Sequence, residues 1–344
     1  MKKIALILAA AALALLAAGC GGSSNKSSSP PATTTTGGGS TFKVGLSTDI
    51  GGLNDRGFNH LAYLGLLRAE HDLGVQGKVV EAQSSSDYVP NLSSLARQGY
   101  NLVIGVGFTE IQALETVAKQ FPHTHFAIVD VSNADEGGLP NVQGLLFKEQ
   151  EAGYLAGYAA GLAAKAKGAN IVSSVGGQKQ PPVDRYIAGF QAGAKAAVPG
   201  IETLNGYSND FTAQPKCKEE ALTQIAAGSV VVFQVAGGCG LGALDAAHEK
   251  NVWGIGVDAD QGYLGPWVLT SALKRVDTAV FQSIKNAKDG RFKGGTDAVY
   301  GIKQNGVGIG KFSPNAPAGI AGKVARVKAE IESGKIKNIP TVVH

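Results

Sequence analysis

Short, nearly unbroken apolar runs separated by stretches of helical periodicity constrain this chain more than any other feature. The runs fall at residues 42–46, 78–82, 102–106, 125–129, 171–175, 230–235 and 252–257. Near-continuous apolar strands belong to parallel sheets covered on both faces, because neither side meets water. Between them lie helical patterns at 58–71, 91–98, 110–120, 186–197 and 240–249. Strand–helix alternation of this kind predicts an α/β fold with doubly wound, right-handed crossovers.

The alternation breaks into two blocks, about 42–147 and about 148–258. A helix at 149–165 stands between them, and Ala152, Gly153, Ala156, Gly157 and Ala160 give it a small-residue face. The last 80 or so residues are too few for a third domain of ordinary size and are expected to be shared between the two blocks. The expected division places 42–147 plus about 275–292 in one lobe and 148–274 plus about 293–344 in the other. Ligands of such folds sit beyond the carboxyl ends of the strands, so the residues just after each run are the ones to inspect.

The N-terminus bears on compartment. Met1, Lys2 and Lys3 precede an uncharged run of Ala, Leu and Ile at 4–18. That run is short for a bilayer span of about 20 residues and fits the apolar region of a signal peptide over 1–19. It ends in Leu16-Ala17-Ala18-Gly19-Cys20, which resembles the bacterial lipoprotein box with Leu one place early. In such a box the cysteine is diacylated and becomes the new N-terminus. The following stretch, 20–41, is rich in Gly, Ser, Thr and Pro and is expected to act as a flexible tether.

Cysteine usage agrees with export. Beyond Cys20 the chain has only Cys217 and Cys239, and an isolated pair in an oxidising compartment is expected to be bridged. A loop of that size contributes about 3 kcal/mol in the chain-entropy picture. The net charge is +4 and no basic stripe runs along any element, so nucleic acid is excluded as a partner.

The first strand is followed by Ser47-Thr48-Asp49-Ile50-Gly51-Gly52-Leu53-Asn54-Asp55-Arg56-Gly57-Phe58-Asn59. Asp49 supplies fixed acceptors, Asn54 and Asn59 supply donors and acceptors, and Phe58 offers a flat apolar face. Asp55 suits either a helix cap or a ligand contact.

This segment resembles the basic membrane lipoprotein (BMP) family, which includes the PnrA-like purine nucleoside receptors of ABC importers. The resemblance continues through residues 126–130, 154–158, 189–193, 233–238, 254–261 and 269–277, in order along the chain. It implies a type I periplasmic-binding fold, two Rossmann-like lobes joined by three crossovers, acting as a monomer that delivers ligand to a permease and an ATPase. It implies that Phe58 forms one wall of a base sandwich and Phe233 the other. Asp49, Asn54 and Asn59 face the cleft, Asp130 reads the base, and Asp258 and Lys274 hold the ribose. No cofactor and no metal are implied, and catalysis is not expected.

Two motifs compete. Gly238-Cys239-Gly240-Leu241-Gly242-Ala243 follows a strand, opens a helix and precedes Asp258 by twenty residues, as in a dinucleotide-binding fingerprint. Export argues against a nicotinamide supply, and a tight strand-to-helix turn explains the same glycines. His123 and His125 share a strand face, but they precede their strand and point away from the cleft. The alternatives to an importer receptor are an exported NAD-type or nucleoside-processing enzyme, and a ligand-sensing lipoprotein without a transporter.

Overall fold

The computed structural model describes residues 41–343. The signal peptide, Cys20 and all but the last residue of the tether therefore lie outside the described residues. Twelve strands form two six-stranded sheets among those residues.

The first sheet takes β1 (Lys43–Thr48), β2 (Gln76–Glu81), β3 (Leu102–Val106), β4 (His125–Val129), β5 (Val142–Phe147) and β11 (Thr296–Tyr300) in the order β11-β5-β4-β3-β1-β2. The second takes β6 (Ile171–Gly176), β7 (Glu202–Tyr207), β8 (Val231–Val235), β9 (Trp253–Asp258), β10 (Val268–Lys274) and β12 (Val307–Ile309) in the order β12-β10-β9-β8-β6-β7. Every pairing is parallel except β10 with β12. Each lobe thus repeats the doubly wound order 2-1-3-4-5, and in each the first strand neighbours the third, which creates a switch point at the strand ends.

The helices cover both faces. In the first lobe these are α1 (Phe58–Leu73), α2 (Tyr88–Arg97) and α3 (Ile111–Gln120). In the second they are α4 (Glu149–Ala166), α5 (Pro181–Ala197), α6 (Gln214–Ala226) and α7 (Gly240–Glu249). The chain crosses between lobes three times: from β5 into α4, from β10 into α8 (Val276–Lys288), and from β11 to β12. Helix α8 returns to the first lobe and lies so close to α1 that a Cβ on Gly65 would come 2.5 Å from the Asp277 carbonyl. The terminal α9 (Ile320–Glu332) packs on α4 with Ile320, Val324, Val327 and Ile331 buried. Among the described residues no helix is long and apolar enough to cross a membrane.

One assignment is corrected here. Residues 293–344 were expected in the second lobe, but Thr296–Tyr300 pairs with β5 in the first sheet. An edge strand with alternating exposure carries no continuous apolar run, so periodicity gives it no signal. The small-residue face of α4 meets α5 backbone to backbone. A Cβ on Gly153 would lie 2.1 Å from the Tyr186 carbonyl oxygen, and one on Gly157 1.9 Å from that of Phe190. Gly189 and Gly193 face α4 in the same way, at 2.2 and 2.0 Å from its carbonyls.

Candidate functional site

The carboxyl ends of both sheets converge on one cavity of about 650 Å³ of free space, part of it open to solvent. The first lobe contributes Asp49 after β1, Phe58 and Asn59 from α1, Gly107 and Phe108 after β3, and Asp130 after β4. The second contributes Val183 and Tyr186 from α5, Val235, Gly237 and Gly238 at the end of β8, Asp258 ending β9 and Lys274 ending β10.

Local sequence explains how each acid is aimed. Asp55 is buried and caps α1, accepting from the amides of Gly57, Asn59 and His60 at 3.0, 2.7 and 3.1 Å. The capped turn delivers Asn59, whose amide donates to Asp49 Oδ1 at 2.7 Å, and Gly51 N–H donates to the same oxygen at 2.9 Å. Burial nevertheless pushes the Asp49 carboxyl up. Asp130 and Asp258 occupy matching strand ends in the two lobes, and both adopt left-handed backbone, φ +72° and +62°. Asp tolerates that conformation better than most residues, and such strain collects where side-chain direction matters.

Lys274 is the centre of the electrostatics. It is 2% exposed, and its Nζ lies 2.5 and 2.6 Å from the two Asp130 oxygens and 3.0 Å from Glu149 Oε1. Burial alone would depress the ammonium, but Asp130, Glu149 and Asp258 hold its pKa above the ordinary value. The rings of Phe58, Phe147 and Tyr186 surround it, with centroids 5.2, 4.9 and 6.0 Å away. Since Asp130 belongs to the first lobe and Lys274 to the second sheet, this ion pair spans the cleft. Asp258 accepts from the Tyr186 hydroxyl at 3.3 Å. Burial pushes its carboxyl up to about 7, helped by Asp130 and Asp55 and opposed by Lys274.

Two expected site residues are not brought to the cavity. Asn54 is exposed on the turn before α1 and does not line it. Phe233 is fully buried inside β8, stacked on Phe190 at 5.1 Å and edge-on to Tyr186 at 6.0 Å. It lies two residues below the strand end, and at about 3.3 Å per residue it stops short of the cleft. Besides Tyr186, the second lobe presents the ring of Phe211, on the segment after β7, edge-to-face with Phe108 across the cleft at 5.8 Å. Nothing in the polar run Ser208-Asn209-Asp210 marks that position. Glu149, fully buried at the start of α4, is the other residue the sequence reading missed; its partners Lys274 and Arg185 are remote in sequence.

The glycine fingerprint has a packing explanation. A Cβ on Gly240 would meet the Gln234 side chain at 1.8 Å, and one on Gly242 the Gln214 carbonyl at 2.0 Å. Cys239, immediately before Gly240, is disulfide-bonded to Cys217 in the first turn of α6, with Cα atoms 5.6 Å apart. His125 stacks on Phe292 at 4.5 Å, at the end of β4 away from the cleft.

The sequence pattern of the family described as "ABC transporter substrate-binding protein PnrA-like" matches residues 42–338. The ABC transporter nucleoside-binding protein BmpA of Lactococcus lactis is 37% identical over 316 residues, covering 86% of this chain and 88% of that protein. The CD4+ T-cell-stimulating antigen of Listeria monocytogenes is 36% identical over 318 residues, covering 86% and 87%. Among solved structures, a solute-binding protein of an ABC transporter system from Aeropyrum pernix superposes with a TM-score of 0.75 at 28% identity, covering 87% of this chain and 94% of that one.

Proposed function

Since the chain belongs to the Bmp family of PnrA-like ABC transporter substrate-binding proteins, we propose that its cleft captures an unphosphorylated purine nucleoside and releases it unchanged. The observation that carries this reading is that rings from opposite lobes, Phe58 and Phe211, line one cavity with Asp258 and Lys274. A base held against such rings gains about 1–3 kcal/mol per stacked face, by analogy with single-strand recognition. Vicinal hydroxyls match a carboxylate beside an ammonium, which accept from and donate to the same pair of oxygens.

Charge narrows the ligand further. Four carboxylates, Asp49, Asp55, Asp130 and Asp258, line the cavity against one lysine whose charge Asp130 and Glu149 already balance. That lining favours hydrogen-bond donors and disfavours phosphate. The name of the Lactococcus relative points the same way. Cys20 is the proposed lipid attachment point, holding the receptor outside the cytoplasm beside its permease and ATPase.

Calorimetric titration tests the ligand. Guanosine, adenosine or inosine is expected to bind one per chain, and guanosine monophosphate at least about tenfold more weakly, the cost of about 1.4 kcal/mol for one ill-matched charge. Absence of binding by all three nucleosides, or tighter binding of the nucleotide, contradicts the reading.

A further inference from the structure

We propose that the Cys217–Cys239 disulfide is a positioning device for Phe211, holding the second-lobe ring at the cavity rather than serving stability alone. The use of Phe211 as a stacking wall rests on the nucleoside reading above; the positioning itself does not.

Phe211 lies on residues 208–213, which form no helix or strand between β7 and α6. A ring on such a segment stacks well only if something else holds its backbone. Two sets of contacts do so. On the solvent side, Asp210 Oδ1 accepts from the amides of Thr212 and Ala213, both at 2.9 Å, and Oδ2 accepts from Lys216 Nζ at 2.8 Å. On the buried side, Cys239 N–H donates to the Phe211 carbonyl at 2.9 Å. Cys239 Sγ also lies 3.1 Å from the Ala213 carbonyl oxygen.

The disulfide completes this buried clamp. Cys239 ends the turn whose Gly237 and Gly238 line the cavity, and Cys217 sits in the first turn of α6, immediately after the Phe211 segment. Both cysteines are fully buried. The bond therefore fixes the start of α6 against the cavity-lining turn, and the Phe211 segment runs between the two. The floor beneath the ring leaves no slack, since a Cβ on Gly177 would lie 2.2 Å from Phe211 Cε1. Without the bond, the start of α6 gains freedom relative to the turn, and the ring moves with it.

The test compares wild type with a Cys217→Ala, Cys239→Ala variant, each also carrying Phe211→Ala. In ligand-free protein, amide exchange over residues 209–213 is expected to accelerate when the cysteines are removed, while β1 and β4 in the other lobe stay unchanged. For guanosine, the cysteine change is expected to weaken binding about tenfold when Phe211 is present and within about twofold when it is alanine, a coupling typical of residues acting through one another. The loss in melting temperature should be the same in both backgrounds. Asp210→Ala, which loosens the segment from the solvent side, should show the same coupling and stands in if the cysteine-free chain does not fold. Unchanged exchange over 209–213, or equal weakening with and without Phe211, overturns the proposal. If wild type binds no purine nucleoside, the ligand reading fails while the exchange result still decides the positioning.

Discussion

Replacing Lys274 by methionine keeps the volume of the side chain and removes its charge, leaving Asp130 without its cation and Glu149 with only Arg185, at 3.4 Å, as counter-ion. Both carboxylates are almost wholly buried, at 6% and 0% side-chain exposure. Breaking a buried ion pair by removing one partner costs about 3–5 kcal/mol, because the remaining charge is uncompensated. For a chain of this length about 2 °C of melting temperature corresponds to each kcal/mol, so Lys274→Met should lower it by about 6–10 °C. The deficit should depend on pH. Burial already holds the Glu149 carboxyl above its ordinary range, with Lys274 as the main opposing influence, so the substitution raises it further. A group raised in the folded state contributes stability below its unfolded pKa and loses it as pH rises through the folded value. The variant should therefore be closest to wild type at pH 5 and furthest from it at pH 8. Thermal melts of both proteins at these two pH values measure this directly. A loss below about 1 kcal/mol that is the same at both would show that the cation does not hold the two lobes' carboxylates together.

Three further outcomes follow from the same contacts. Phe58→Ala should weaken nucleoside binding by about 1–3 kcal/mol with little change in melting, whereas Phe233→Ala should cost about 3–5 kcal/mol of stability; titration and thermal melts on both variants would expose a reversed assignment. Nucleoside affinity should fall as pH drops below about 7, where Asp258 takes up a proton, and titrations across pH 5–8 should show this slope flatten in Asp258→Asn. Gly157→Ala, whose Cβ would strike the Phe190 carbonyl oxygen, should destabilise by at least about 1–3 kcal/mol, while Gly322→Ala on the open face of α9 should stabilise by up to about 1 kcal/mol; urea unfolding of the two variants separates close helix packing from glycine content.

Legibility in the sequence follows the continuity of apolar residues rather than burial alone. Inner strands β3, β4, β8 and β9 show as apolar runs, as does the edge strand β2, whereas the equally buried β5 and β10 are interrupted by Gln143 and by Thr270 and Ser271 and gave no such run. The edge strands β7 and β11 are partly exposed and gave none either. Asp49, Phe58 and Asn59 share one capped turn and stood out from the residues themselves, whereas Asp130, Asp258 and Lys274 were singled out by the family resemblance alone; all six line the cavity. Phe233 was misplaced because the motif Phe-x-x-Ala-Gly-Gly marks a strand end without saying which residue clears it. Phe211 and Glu149 were missed because their neighbours come from distant segments. Asp130 and Glu149 reach Lys274 only once β10 has joined β9 in the second sheet and the two lobes face each other, and that is a property of topology.

Native mass spectrometry of the folded chain in the presence of guanosine tests the central claim most directly. The account expects a single adduct of one unmodified nucleoside per chain, lost on denaturation and diminished in a Phe58→Ala, Phe211→Ala variant that removes one ring from each lobe. No adduct at saturating guanosine, adenosine or inosine, or the appearance of a free base or another product in its place, would contradict it.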